Sequence, residues 1–140
     1  MDNNLVTVGT RVYLPVFVSG ALFALGDLHA SMGDGELTGG GIDIDGEVTL
    51  RLNLVKGRSW PRPWLETKDS WATCSNAPTL EGAIDIATRD MVNLLAEKLG
   101  VSREHAFMMI GSHGDIRIGQ AAKIKGLDAT LCLVFPKIVI

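Results

Sequence analysis

Charge is scarce in this 140-residue sequence: charged residues make up 21%, and 13 Lys and Arg stand against 16 Asp and Glu. Proteins that grip nucleic acid or an anionic membrane concentrate cations on one face, so a net charge of −3 favours neither partner. Cysteine is scarcer still. Cys74 and Cys132 are the only two, far apart and at no metal-site spacing, which excludes a disulfide framework and leaves two reduced structural thiols as the expectation. A thiol amidase built on Cys74 has no evident base beside it. A long uninterrupted apolar run is also missing. The longest, 12–25, is broken by Pro15, Ser19 and Gly20, too short for a bilayer span, and no basic segment precedes it as in a signal peptide. A cytoplasmic protein without a membrane partner is the expectation. There is no internal repeat and no low-complexity segment.

What the chain does have is apolar mass. Hydrophobic residues make up 46% and mean hydropathy is +0.22, high for a small chain in water. The excess points to a large surface buried against another chain or a missing segment. The length suits one domain, 1–140.

Taken in order, residues 1–10 read as a polar lead-in and 11–18 (RVYLPVFV) as a strand that Pro15 confines to an edge or a bulge. Residues 20–29 and 36–45 read as extended segments on either side of a turn. Asp45-Gly46 is the strongest hairpin signal, leading into 47–55 (EVTLRLNLV), where Val48, Leu50, Leu52 and Leu54 alternate with polar residues. Residues 56–79 contain Trp60, Trp64 and Trp71 without clear periodicity and read as a long connection, either a packed loop over a sheet edge or a pocket wall. Thr79 caps a helix over 80–99 that Gly100 ends, with apolar residues from Leu80 through Leu99 at helical spacing. Ser102 caps a second helix, 103–110, whose Phe107, Met108 and Met109 read as core. A loop at 112–115 precedes a short strand, 116–120, and a last β-prone run covers 129–140.

The chemistry concentrates in 20–46, GALFALGDLHASMGDGELTGGGIDIDG. Residues two apart in an extended chain share a face, so Asp27 projects with His29 and Asp34 with Glu36. Met32-Gly33-Asp34-Gly35 is turn-like, and across such a turn three carboxylates and one imidazole can meet. Gly39-Gly40-Gly41 marks a bulge or a close approach of backbone or ligand. A hairpin whose carboxylates merely hold turn amides is the competing reading of these four residues. Imidazole plus carboxylates suits Zn²⁺, whereas oxygen-only ligation by Asp27, Asp34 and Glu36 would suit Ca²⁺ or Mg²⁺. His113 and Asp115 could join from the far end of the chain, and His105 reads as a surface or capping residue.

GDLHASMGDGELTG at 26–39, followed by EVTLRLNLVKG at 47–57, resembles the acetamidase/formamidase family, and Asp115, Arg117, Ile118 and Gln120 look like that family's Asp-x-Arg-Ile-x-Gln stretch. Family members are longer, and Met1-Asp2-Asn3 looks like an internal segment, so the resemblance is to the C-terminal half. It implies a mainly β fold with α, a jelly-roll-like β-sandwich half with two packing helices. It also implies hydrolysis of short linear amides, formamide or acetamide, to a carboxylate and ammonia. With it, the expected catalytic residues are Glu36, Asp34 and His29, with Glu36 or Asp34 as general base. The expected ligands of a divalent metal, Zn or Ca, are Asp27, His29, Asp34 and Asp115. The expected partner is a second copy or a complementary N-terminal half. The rival reading, from another class, is a non-catalytic β-sandwich binding or assembly subunit that the metal stabilises.

Overall fold

The computed structural model describes residues 2–122 and 126–137. Among these residues, seven strands and two helices follow in the order β1 (Arg11–Tyr13), β2 (His29–Ser31), β3 (Ile42–Asp43), β4 (Trp64–Glu66), β5 (Ser70–Ala77), α1 (Leu80–Leu99), α2 (Arg103–His113), β6 (Asp115–Gln120) and β7 (Ala129–Pro136). The strands form a five-stranded sheet, β1-β4-β5-β7-β6, and a two-stranded ribbon, β2-β3, with antiparallel pairing throughout. The fold is thus mainly β with two packing helices, as the sequence led us to expect.

Helix α1 forms where its spacing and caps require. Thr79 accepts from the Gly82 amide, Gly100 closes the helix in the left-handed region at φ 66°, and Ala83, Ala87, Met91, Leu94 and Leu95 are buried. It lies on one face of the sheet, against Leu131, Leu133 and Phe135 of β7 and Trp64 of β4. Two strand hydroxyls complete the join: Thr73 donates to Ala87 O at 2.9 Å and Ser75 to Ala83 O at 2.7 Å. Each spends its proton on a carbonyl that the helix leaves facing the sheet, so neither is a buried orphan.

Those same hydroxyls explain the first correction. The stretch 56–79 is no long connection: it holds β4 and all of β5, joined by a tight turn in which Thr67 Oγ1 accepts from the Asp69 and Ser70 amides. In SWATCSNA the helix-facing positions include Thr and Ser, so no apolar alternation announces the strand. Trp60 and Trp64 pack with Tyr13, the Tyr13 and Trp64 rings stacked at 3.7 Å, and both tryptophans line a cavity of about 410 Å³. Of the two readings of the stretch, pocket wall holds for Trp60 and Trp64, whereas β4 is an inner strand between β1 and β5 and not a loop over an edge.

The second correction is 47–55. It forms no strand with 42–44; the ribbon partner of β3 is β2. Val48, Leu50, Leu52 and Leu54 are 44–69% exposed, so the apolar side found by alternation is left uncovered by the described residues. A strand needs a ladder partner and a covered face. Residues 11–18 shorten to β1 because Pro15 cannot continue a ladder. Helix α2 extends three residues beyond 110, Phe107 and Met108 are exposed at 61% and 62%, and Met109 packs at the core margin. The last run is a strand as far as Pro136; its end, 138–140, falls outside the described residues.

Candidate metal and acid–base site

Among the described residues, the other face of the sheet carries no helix. Ala72 and Cys74 of β5 and Cys132 and Val134 of β7 point there, packed with Leu5 from the lead-in segment and Val12 of β1. At the edge of this face a bulge interrupts β6. Ile118 opposes Leu131 but Gln120 opposes Thr130, so Gly119 is the extra residue. Without a bulge, Arg117 and Gln120, three apart, would point to opposite faces. The bulge turns Gln120 to the side of Arg117, as bulges re-aim side chains.

Both residues then grip the 33–36 turn. Arg117 donates to Asp34 through Nε at 2.9 Å and Nη2 at 2.8 Å, and Asn4 Nδ2 adds a third bond at 2.9 Å. Gln120 Nε2 donates to Glu36 Oε2 at 2.7 Å. Between them, the Gly35 amide donates to Ile118 O and Gly35 O accepts from Ala121, both at 2.7 Å. The turn expected at 32–35 is present, with Glu36 N–H bonded to Gly33 O. Glu36 is buried, and its φ of 41° lies in the left-handed region. For a residue with a long side chain that conformation costs about 1–3 kcal/mol, which the surrounding bonds must hold in place.

Asp27 and His29 come together, though not as two positions of one extended run, since β2 begins at His29 and 20–28 form no strand; a third ligand joins them. His29 Nε2 stands 3.3 Å from Asp27 Oδ1 and 3.2 Å from Asp43 Oδ1, and ligand atoms of the three residues lie within 4.8 Å of one another. The ribbon pairs His29 with Asp43 and slips before Ser31. Gly41 sits against the imidazole: a Cβ there would meet His29 Cγ and Nδ1 at 2.7 Å and Ser31 O at 2.9 Å. The expected close approach at 39–41 is therefore to the His29 ring, and the bulge is beside it. Asp27, at φ 63°, is a second residue held in the left-handed region.

Of the remaining sequence candidates, Asp34 is committed to Arg117. Asp115 is exposed on β6 opposite Val134. His113 is exposed at the end of α2, bonded to Ser112 Oγ at 2.7 Å and tilted against Phe135, on the helix side of the sheet. Sequence reasoning missed Asp43; its only signal was the polar phase of Ile42-Asp43-Ile44. Arg117 and Gln120 entered through their motif, but their partners are 83 and 84 residues away, beyond the reach of any spacing rule.

The Arg117 guanidinium bonded to Asp34 holds its carboxyl below the usual carboxylate range, with Asn4 adding to the effect. A lowered folded value stabilises above the unfolded pKa of about 4 and is lost as pH falls through the folded value. Asp34 is 42% exposed, which limits the contribution to about 0.5–1 kcal/mol. Arg117→Met is therefore expected to cost that much at pH 7 and almost nothing at a pH low enough to protonate Asp34 in the folded chain, as read from urea midpoints at the two pH values. An equal loss at both would mean that packing, not charge, is what Arg117 supplies.

The sequence profile described as the Acetamidase/Formamidase family matches residues 1–138. An acetamidase of Mycolicibacterium smegmatis is 46% identical over 52 residues, covering 36% of this chain and 13% of that protein. A formamidase of Methylophilus methylotrophus is 44% identical over 52 residues, covering 36% and 13%. Among solved structures, an acetamidase from Bacillus halodurans superposes with a TM-score of 0.80 at 42% identity, covering 91% of this chain and 42% of that one. An acetamidase from Yersinia enterocolitica gives 0.84 at 29% identity, covering 92% and 38%. This chain thus spans less than half the length of the relatives it matches.

Proposed function

This chain belongs to the acetamidase/formamidase family, and from that premise we propose that it is the C-terminal, metal-holding half of a hydrolase. Its substrates would be short linear amides, formamide or acetamide, cleaved to a carboxylate and ammonia. The observation that carries the reading is His29 Nε2 set between the carboxylates of Asp27 and Asp43, with Gly41 pressed against its ring. One imidazole and two carboxylates make a borderline donor set, suited to Zn²⁺ more than to Ca²⁺, which takes six or more oxygens. Three protein ligands also leave positions open, the arrangement of catalytic sites and not of closed structural ones. A divalent cation held there would polarise the amide carbonyl and favour a nucleophilic water. Asp34 and Asp115 stay outside this ligand set.

The chain's own residues divide the remaining work. Asp34, saturated by Arg117 and Asn4, positions the turn and is poorly placed to take a proton. Glu36 is buried with one carboxylate oxygen fixed by Gln120, which orients the other, so Glu36 is the base we assign for proton abstraction from water. The missing part of the fold would come from a complementary N-terminal half or a second copy. Phe17 at 83%, Leu22 at 78% and Leu52 at 69% exposure are the contacts such a partner would cover. No helix among the described residues is long and apolar enough to cross a membrane, and two reduced thiols suit the cytoplasm.

The test is formamide and acetamide turnover by the chain alone and mixed with an N-terminal half from a family member, before and after a chelator. Chelator-sensitive ammonia release from the mixture, restored by Zn²⁺, is the expected result. A thermal midpoint that rises with metal while no amide turns over in either preparation would instead establish the metal-stabilised assembly subunit.

A further inference from the structure

The two cysteines, 58 positions apart, are cross-strand neighbours. Cys74 and Cys132 are register partners on β5 and β7, both thiols are free, and their sulfurs lie 2.9 Å apart. The Cys74 amide donates away from β7, to Pro63 O at 3.2 Å. The pair is therefore a non-hydrogen-bonded one, in which antiparallel Cα atoms approach to about 4.5 Å. That separation lies inside the range of about 4.4–6.8 Å that a disulfide spans without moving the backbone. The residues are 7% and 2% exposed, yet both line a cavity of about 510 Å³ whose wall also includes Asn76, Gly119 and Thr130. The cavity has room for a small polar oxidant beside the pair, and the low exposure of both residues disfavours approach by a protein thiol.

We propose that Cys74 and Cys132 form a site of reversible oxidation, at which a hydroperoxide converts the two thiols to a cross-strand disulfide. The two thiols share one hydrogen bond, and Asn3 Nδ2 also donates to Cys74 Sγ at 4.0 Å, so Cys74 is the sulfur whose thiolate is favoured. In the first step the Cys74 thiolate attacks a peroxide oxygen. The O–O bond breaks, the leaving oxygen departs as water after taking up a proton, and Cys74 becomes a sulfenic acid. In the second step the Cys132 sulfur attacks Cys74, the S–O bond breaks, and hydroxide leaves as water with the Cys132 proton. Two thiols and one hydrogen peroxide thus give one disulfide and two waters. On the other side of Cys132, its register partner on β6 is Arg117, the residue that holds Asp34, so the oxidised pair would sit one strand from the 33–36 turn. The proposal is independent of the hydrolase reading.

Because the sequence has only these two cysteines, thiol counting is unambiguous. The folded chain is treated with hydrogen peroxide, then denatured under acid quench for thiol titration and intact mass. The expected result is loss of both thiols together, a mass decrease of two hydrogen atoms, a monomeric band on non-reducing gels, and full recovery with dithiothreitol. In Cys132→Ser, Cys74 is expected to stop at a sulfenic acid that dimedone traps. Retention of both thiols under peroxide that oxidises free cysteine would overturn the proposal, as would stepwise mass gain by oxygen or a covalent dimer in the wild-type chain. The wild-type measurement stands even if the variant does not fold.

Discussion

Gly41→Ala is expected to weaken divalent-metal binding about a hundredfold, although it removes no ligand. The new Cβ would lie 2.7 Å from two atoms of the His29 ring and 2.9 Å from a backbone carbonyl. The carbonyl belongs to β2 and cannot retreat, so the imidazole must move, and its Nε2 moves with it away from Asp27 and Asp43. Residues that orient a ligating histidine are worth about 10–100-fold in affinity, and here the disturbance is steric as well. His29→Ala, which deletes a ligand, should lose at least as much. Overpacking of this size costs about 1–3 kcal/mol, too little to unfold the sheet and helix core, which lies elsewhere. Gly40→Ala is the control, since nothing lies within 4 Å of a Cβ at that position. Metal content after dialysis, with circular dichroism for the fold, reads all three. Retention of metal in Gly41→Ala at the wild-type level would show that the cluster is a set of ordinary surface charges.

Where local rules suffice, the chain is legible. Helix α1 has its cap, its apolar stripe and its terminal glycine in one contiguous window, and its bounds follow from them. Asp27 and His29 are a local pair as well, although Asp27 takes a left-handed backbone and not the extended one that the two-residue spacing assumes. The misses share a different cause. Positions 47–55 show a clear alternation and form no strand, because alternation reports a face to bury and not the presence of something to bury it against. β5 is a central strand without apolar alternation, because its inward hydroxyls are satisfied by helix carbonyls that no reading of β5 alone could supply. Asp43 reaches His29 only through a slipped ribbon. Gln120 reaches Glu36 only because one extra residue in β6 changes the side on which it emerges. A bulge of this kind alters a side chain's direction while leaving the residue spacing untouched, so no spacing rule places Gln120 beside Arg117.

Glu36→Gln is expected to lower amide turnover by about 10²–10⁴ while leaving metal content and fold in place. The substitution is nearly isosteric. Gln120 Nε2, which donates to a Glu36 oxygen at 2.7 Å, can donate equally to the glutamine carbonyl, so the tie between the turn and β6 survives. The backbone ties through Gly35 do not involve the side chain at all. What is lost is the ability to accept a proton, and a loss confined to that step falls on kcat and on kcat/KM alike. The left-handed conformation of Glu36 supports this assignment: β6 holds an acidic side chain where glycine or asparagine would sit at lower cost. Asp34→Asn provides the contrast. Its carboxylate is already engaged by Arg117 and Asn4, so its removal should show mainly as reduced stability on the alkaline side of its folded pKa, with turnover falling less than in Glu36→Gln. The measurement is steady-state ammonia release by the metal-loaded protein together with its complementary half, alongside urea midpoints for each variant. Turnover in Glu36→Gln within about tenfold of wild type, roughly 1.4 kcal/mol, would remove Glu36 from the chemistry and return the role of base to Asp34 or to a residue of the partner half.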